Sequence, residues 1–299
     1  MAIKKNNIFS KQSTLKQKTT EMSKNFKKAL VAVFIIAVSC TGLSGQGNLL
    51  VTPVRVIFDG QKQKEDLNIT NVGNDSAVFI ISFIHHRMNP DGSLVMLQKG
   101  DSLTSAEKYL RVFPRRIKLG PNESQTIRLQ YRKVQGMAER EYRSHLYFRA
   151  DKKAAPLGLE DKKRDSTKMA VQITAIFGIS IPVIIRNGNL TAQNSITDVA
   201  LTALTDSTSL LKFQINRSGN RSSYGNLKVV YTDKNGKKTV LTNANGVGVY
   251  PEIPARSMSL LIRWPAGITQ KGGKLNIMYN SPDEEGGETL ASTEYILPG

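Results

Sequence analysis

The sequence of 299 residues has little of the chemistry that metal sites need, with a single cysteine and only three histidines. Cys40 has no partner for an intramolecular disulfide, and no group of cysteines has the spacing of a structural zinc site. His85 and His86 are adjacent, and neighbours on a strand point to opposite faces, so they cannot easily share a metal. We therefore predict no metal and no other cofactor.

Motifs of catalysis are also missing. The sequence contains no G-x-S-x-G segment and no glycine-rich phosphate loop. Ser144 and His145 are neighbours, but no nucleophile motif surrounds them. Glu284 and Glu285 lie in a charged, glycine-rich turn, SPDEEGGE, where we expect both carboxylates to be solvated. The sequence thus predicts a protein that is not an enzyme.

No concentrated basic element is present, although the formal charge is +18. Residues 1–44 carry eight lysines and one glutamate, a local charge of +7, which leaves +11 for the remainder. The lysines and arginines of that remainder are dispersed, without a basic helix or an RNA-binding signature, so nucleic acid is not a predicted partner. A dispersed basic surface suits an acidic partner or an anionic membrane face.

The N-terminal region has the pattern of a secretory signal peptide. An uncharged apolar run at 29–39 follows a basic stretch and precedes small residues. The run is well short of the roughly 20 residues that span a bilayer as a helix. We predict that 1–44 is a signal peptide, with translation from Met22 as an alternative start, and that the mature chain is exported. Cys40 distantly resembles a lipoprotein cleavage site, so lipidation is a second interpretation.

From Asn48 onward, apolar residues recur at every second position and no amphipathic helix is evident, which predicts an all-β fold. The first set of strands is predicted at 49–58, 65–71, 77–88, 94–98, 109–113, 124–132, 142–150 and 168–186. The second set is predicted at 195–203, 208–216, 225–232, 237–242, 257–264, 273–280 and 289–296. The pairs Asp91-Gly92 and Asn235-Gly236 mark tight hairpin turns between strands.

Segment 186–190, RNGNL, lacks an apolar pattern and separates the two sets. We place a domain boundary there, which gives an N-terminal domain at 45–188 and a C-terminal domain at 189–299. Residues 151–166 are polar and charged, and they are predicted to form a long loop within the first domain.

That loop leads into an unusually long alternating segment at 168–186. Its nine odd positions from Met169 to Ile185 are all apolar. Such a strand would be about three times the usual length. It is either a core strand, bent near Gly178, or a strand whose first half is an exposed apolar edge that recruits another strand.

Three motifs occur in order before this segment: VTPVRVIFD at 51–59, FPRRIKLGPNESQTIRLQYR at 113–132 and EYRSHLYFRA at 141–150. Together with the long alternating strand, they resemble the periplasmic pilus-assembly chaperones of the chaperone–usher pathway. The resemblance covers about 49–188 well and is weaker over 189–299. It implies two immunoglobulin-like β-sandwich domains in tandem, set at an angle, and a periplasmic location.

The resemblance also implies the binding residues. Arg55 and Arg149 fall on the two basic positions that hold the C-terminal carboxylate of a pilus or fimbrial subunit. The family usually has lysine at the second position, but arginine keeps the charge and can bind a carboxylate through two parallel N–H bonds. His145 is another departure, where many relatives have a large aromatic residue. The residues implied to be donated to the subunit are Met169, Val171, Ile173, Ala175 and Phe177.

The implied partners are pilus or fimbrial subunits and an outer-membrane usher. Self-capping through the same apolar edge, as a dimer or a tetramer, is left open when no subunit is bound. The alternative hypothesis is an exported immunoglobulin-like adhesion or structural module, in which the strand at 168–186 belongs to the core.

Overall fold

A computed structural model describes residues 49–98, 100, 104–151, 178–268 and 270–298. Ten strands precede residue 188: β1 (Leu49–Thr52), β2 (Val56–Phe58), β3 (Lys64–Asn71), β4 (Ala77–Met88), β5 (Leu94–Leu97), β6 (Leu110–Phe113), β7 (Arg116–Leu119), β8 (Ser124–Tyr131), β9 (Arg140–Ala150) and β10 (Gly178–Asn187). Seven strands follow: β11 (Ala192–Thr205), β12 (Thr208–Gly219), β13 (Ser223–Thr232), β14 (Lys238–Val249), β15 (Ala255–Arg263), β16 (Lys274–Asn280) and β17 (Thr289–Ile296). Short 3-10 helices lie at Glu107–Tyr109 and Asp283–Glu285.

The first ten strands form a sandwich of two sheets. One sheet has the order β1-β3-β8-β6, and the other has the order β2-β10-β9-β4-β5, with β7 also paired to β4. This is the strand order of an immunoglobulin-like sandwich. Alternate residues of each strand point into the space between the sheets, as Ile127 and Leu129 of β8 do, and the core there includes Phe58, Leu67 and Leu146.

The remaining seven strands form a second sandwich. Its sheets have the orders β11-β12-β15 and β14-β13-β16-β17, which again is an immunoglobulin-like arrangement. Phe213, Val229 and Ile277 are fully or almost fully buried between them. Met88 of β4 and Ile184 of β10 also belong to this second core, so the two sandwiches share an apolar junction.

The prediction of an all-β fold with two immunoglobulin-like sandwiches in tandem is confirmed. Both predicted hairpin turns are present, with Gly92 and Gly236 at positive φ. The predicted strand 49–58 is wrong in one respect, because it divides into β1 and β2, which lie in different sheets. Pro53 lies between them, and proline has no N–H to continue a ladder of hydrogen bonds.

Strand β7 was not predicted, because its four residues alternate basic and apolar side chains too briefly to stand out from a loop. The long alternating strand is described from Gly178 onward. The predictions for the signal peptide at 1–44, for Cys40, for most of the loop at 151–166 and for the segment 168–177 lie outside the described residues. In the described ranges, no helix is both long and apolar enough to cross a membrane.

Candidate functional site

Arg55 lies just before β2, where the two sandwiches meet. Its side chain is only 7% exposed, and its Nη1 donates to Oε1 of Glu285 at 3.0 Å. Its guanidinium carbon lies 4.0 Å from the centre of the Tyr224 ring. Tyr224 and Glu285 both belong to the second sandwich, so a residue placed by the first sandwich is held by the second.

The guanidinium of Arg55 is only partly satisfied. Its Nε and Nη2 atoms are buried and have no hydrogen-bond partner among the described residues. Burial lowers the pKa of Arg55, and the nearby Glu285 carboxylate opposes this shift. Since Nε and Nη2 form the edge of a guanidinium that binds a carboxylate through two parallel bonds, Arg55 retains the capacity to bind an anion.

Arg149 has a different environment. It is exposed on β9, opposite Ile80 of β4 and Gly178 of β10. Arg55 comes one residue before Val56, which is in register with Val183 of β10. Arg149 is therefore displaced from Arg55 by about four residues along the strands, or about 13 Å at the usual rise per residue. The strand register therefore separates the backbone positions of the two arginines by this distance.

Strand β10 has an open edge beside this site. Residues Gly178–Asn187 pair with β9 along their whole length, whereas β2 covers only Val183–Ile185 on the other side. Residues 178–182 thus have no strand partner on that side within the described part of the chain. The predicted donor residues Met169, Val171, Ile173, Ala175 and Phe177 precede this edge in the sequence and lie outside the described residues.

Glu285 and Tyr224 are the residues of the site that sequence reasoning missed. Glu285 was expected to be solvated, but it contacts Arg55 from 230 positions away in the sequence. Its side chain is 43% exposed, as expected, but the ion pair with Arg55 could not be foreseen, because a local pattern of charge and glycine carries no information on distant contacts. No sequence feature indicated a functional role for Tyr224, which directly precedes the predicted strand 225–232.

A second polar cluster lies on the face of β4 and β9 that meets the second sandwich. Nη2 of Arg143 donates to the His86 carbonyl at 2.8 Å and to Oε1 of Glu252 at 2.5 Å. The His86 and His145 rings meet edge to face at 4.6 Å. Burial, aided by Arg143, lowers the pKa of His145 to about 3, so the ring is neutral at physiological pH.

His85 points to the other face of β4, into the first sandwich. Its Nδ1 lies 3.2 Å from Oγ of Ser144, and its Nε2 lies 2.9 Å from Oε2 of Glu107. Oγ of Ser144 accepts the backbone N–H groups of Ala106 and Glu107, both at 3.0 Å. This arrangement ties the segment before β6 to β9. No group of three or more metal-ligating side chains occurs among the residues that the structure describes.

No protein-family model matches this chain, and no curated protein matches it. Similar solved structures include a chaperone–tip adhesin complex of CFA/I fimbriae biogenesis, at 15% identity over 84% of this chain and 100% of that chain, with a TM-score of 0.41. The complex of the CsuC chaperone with the tip adhesion subunit CsuE, from Acinetobacter baumannii, has 11% identity, covers 84% and 98% of the two chains and has a TM-score of 0.40.

The complex of the Salmonella enterica SafA pilin with the SafB chaperone has 13% identity, covers 85% and 98% of the two chains and has a TM-score of 0.38. Each of these three solved structures contains a chaperone bound to an adhesin or pilin subunit.

Proposed function

We propose that this chain is an exported, non-enzymatic chaperone that holds pilus or fimbrial subunits in the periplasm by donating a β-strand to them. The observation that carries the proposal is the open edge of β10 at residues 178–182. An unpaired strand edge presents free backbone N–H and C=O groups, and proteins usually cover or interrupt such an edge unless it binds another strand.

The phase of β10 supports the choice of donor residues. Ile181, Val183 and Ile185 of β10 are buried in the first core. The apolar residues of segment 169–177 also lie at odd positions, so they continue the alternation of the buried residues of β10. Burying each valine, isoleucine, phenylalanine or methionine contributes about 1.5–3 kcal/mol. Apolar burial across the four such positions, Met169, Val171, Ile173 and Phe177, would therefore supply most of the affinity for a subunit.

The subunit's C-terminal carboxylate would bind at Arg55. A charged hydrogen bond has a net contribution of about 1.5–3 kcal/mol, which is modest beside the apolar term. Its value lies in register, because a slip by one residue turns every donated side chain to the wrong face. Arg149, which lies further along the same sheet, would be a second cation that contacts the subunit.

The resemblance to chaperones of this pathway implies further partners. Loaded subunits would pass to an outer-membrane usher, and the apolar edge would be capped by a second copy of the chain in the absence of a subunit. The same resemblance supports a periplasmic location after removal of the signal peptide.

The test is affinity purification of the tagged protein from its native envelope, followed by mass spectrometry of proteins that co-purify at one-to-one stoichiometry. We expect a small exported β-rich subunit that is lost when Ile173→Asp and Phe177→Asp are introduced. Leu261→Asp is the matched control, because Leu261 is a half-exposed apolar residue on β15 of the second sandwich. This variant should retain the subunit.

Recovery of no specific partner, together with slow hydrogen exchange across 168–177, would refute strand donation. It would favour the adhesion or structural module, in which that segment belongs to the core.

Two further variants test the roles of the arginines. Arg55→Ala should remove subunit stabilisation while the chaperone stays folded, and Arg149→Ala should weaken it, with the exposed Arg128→Ala as the control. Unchanged subunit levels in Arg55→Ala would contradict the assignment of Arg55.

A further inference from the structure

Glu285 occupies the guanidinium that the proposed function assigns to the subunit. It is the acidic residue that pairs with Arg55 among the described residues. The side chain of Glu285 is 43% exposed, whereas that of Arg55 is 7% exposed. The acidic member of this pair therefore reaches in from solvent to a cation that is fixed at the junction.

The turn that carries Glu285 allows its side chain to withdraw. Asp283–Glu285 is a single 3-10 turn between β16 and β17, and Gly286 and Gly287 follow it at positive φ. The backbone of the turn is closed by its own bonds, from Glu285 N to Pro282 O at 2.9 Å and from Gly286 N to Asp283 O at 3.1 Å. A change of Glu285 rotamer thus releases Arg55 without breaking these bonds or unpairing either strand.

Glu285 and a subunit carboxylate would compete for Arg55. Glu285 uses Nη1, and a second carboxylate on the buried Nε and Nη2 edge would lie beside it. Two like charges on one buried guanidinium repel each other, and a site of low dielectric strengthens that repulsion. The Nε and Nη2 atoms are also closed to solvent, so an incoming anion must first move a covering group.

We propose that Glu285 is an internal carboxylate that caps Arg55 in the subunit-free chain and is displaced by the C-terminal carboxylate of a bound subunit. The inference rests on the proposed function, since it takes Arg55 to be the anchor. The cap keeps a buried cation paired while the site is empty. It also weakens the binding of any carboxylate, because the apparent affinity is the intrinsic affinity multiplied by the fraction of molecules in which Glu285 has moved away from Arg55. A free carboxylate would not overcome this cost unless strand pairing assisted it, which makes Glu285 a determinant of selectivity.

The test measures how fast phenylglyoxal modifies Arg55, read by mass spectrometry of the peptide that contains it. We expect Glu285→Gln to react about fivefold faster than wild type, the change that loss of a partly exposed ion pair would produce. Glu284→Gln is the matched control, because Glu284 is exposed in the same turn, and its rate should equal that of wild type. If circular dichroism shows that Glu285→Gln is unfolded, Glu285→Asp replaces it, since it retains the charge but withdraws the carboxylate.

The second arm adds a ten-residue peptide of alternating valine and threonine, either with a free C-terminal carboxylate or as its amide. The acid peptide should protect Arg55 in the Glu285→Gln variant at about fivefold lower concentration than in wild type, and the amide should not protect it. Equal modification rates in wild type and Glu285→Gln would overturn the cap and leave the anchor standing. Faster modification with no difference between acid and amide would overturn the anchor, and displacement with it.

Discussion

Arg143 of β9 lies over Tyr250 of the second sandwich, with its guanidinium carbon 3.5 Å from the ring centre. Oε1 of Glu252 accepts a hydrogen bond from Arg143 and another from the backbone N–H of Met88 at 3.0 Å. A cation, a ring and a carboxylate thus connect β4 and β9 to the second sandwich. The connection uses these three side chains together with the backbone of β4, and no strand of one sandwich pairs with a strand of the other among the residues that the structure describes.

Arg143→Ala should therefore destabilise the protein strongly. The side chain of Arg143 is 9% exposed, and its loss leaves the Glu252 carboxylate without its counter-ion at the junction. We expect the free energy of unfolding to fall by about 3 kcal/mol, measured by urea denaturation. Arg132→Ala, at an exposed position, is the control and should stay within about 0.5 kcal/mol of wild type. A similarly small change in Arg143→Ala would show that the junction does not depend on this residue.

Acid should destabilise the fold through His145. Burial, followed by Arg143 and His86, lowers the pKa of His145 from 6.5 to about 3. Between these values the unfolded chain binds a proton that the folded chain does not, so stability falls as the pH drops, by up to about 1.4 kcal/mol per pH unit from this group. The loss begins near pH 6.5 and is complete near pH 3.

His145→Phe tests this origin of acid sensitivity. Phenylalanine fills the buried site without a titratable group, so the stability advantage of pH 7 over pH 4.5 should be smaller in the variant than in wild type. Urea denaturation at both pH values gives the comparison. If the advantage is the same in both proteins, His145 is not the source.

Two glycines with similar backbone angles should respond differently to alanine. Gly219 has φ of +97° and Gly236 has φ of +84°, so both substitutions incur the cost of a left-handed backbone, about 1–2 kcal/mol. A Cβ at Gly219 would lie 2.2 Å from the carbonyl oxygen of Thr191, whereas a Cβ at Gly236 meets nothing within 4 Å.

Gly219→Ala should therefore lower the thermal midpoint more than Gly236→Ala does. Differential scanning calorimetry of the two variants separates the backbone cost, which they share, from the steric clash, which only the first has. Equal midpoints would mean that the contact between Gly219 and Thr191 relaxes without cost.

The single tryptophan of the chain reports on a buried hydrogen-bond chain. Nε1 of Trp264 donates to Oγ of Ser209 at 2.9 Å, and Ser209 donates to Oε1 of Gln270 at 2.8 Å. Ser209→Ala leaves the indole N–H buried without its acceptor, which should cost about 1–3 kcal/mol and shift the tryptophan fluorescence. Ser259→Ala, on the exposed face of β15, should change neither. An unaltered spectrum and midpoint in Ser209→Ala would show that another acceptor replaces the hydroxyl.

Much of the strand pattern was accessible from the sequence, because alternation has a local physical cause. Successive side chains of a strand point to opposite faces, so apolar residues at every second position predict a strand with one buried side, as in β8 and β12. Asp91-Gly92 and Asn235-Gly236 were equally accessible, since positive φ is a property of the turn residues themselves.

The relation between Arg55 and Arg149 could not be obtained in this way. The sequence motifs match both arginines to the basic positions of the family that the chain resembles. Only the register of β2, β10 and β9 shows how far apart the two residues lie along the strands. The division of the segment 49–58 between two sheets has a similar basis, because which sheet a strand joins depends on partners far along the chain.

By itself, the sequence determined the all-β class, the tandem sandwiches, the hairpin turns and the apolar phase that continues into β10, because each follows from short-range periodicity and turn chemistry. Only the tertiary structure decided that Arg55 is buried against Tyr224 and Glu285. It also decided that, among the described residues, the Nε and Nη2 atoms of Arg55 lack hydrogen-bond partners and β10 has an open edge. These features join residues up to 230 positions apart, and such contacts follow from packing and strand register, which no local pattern of residues encodes.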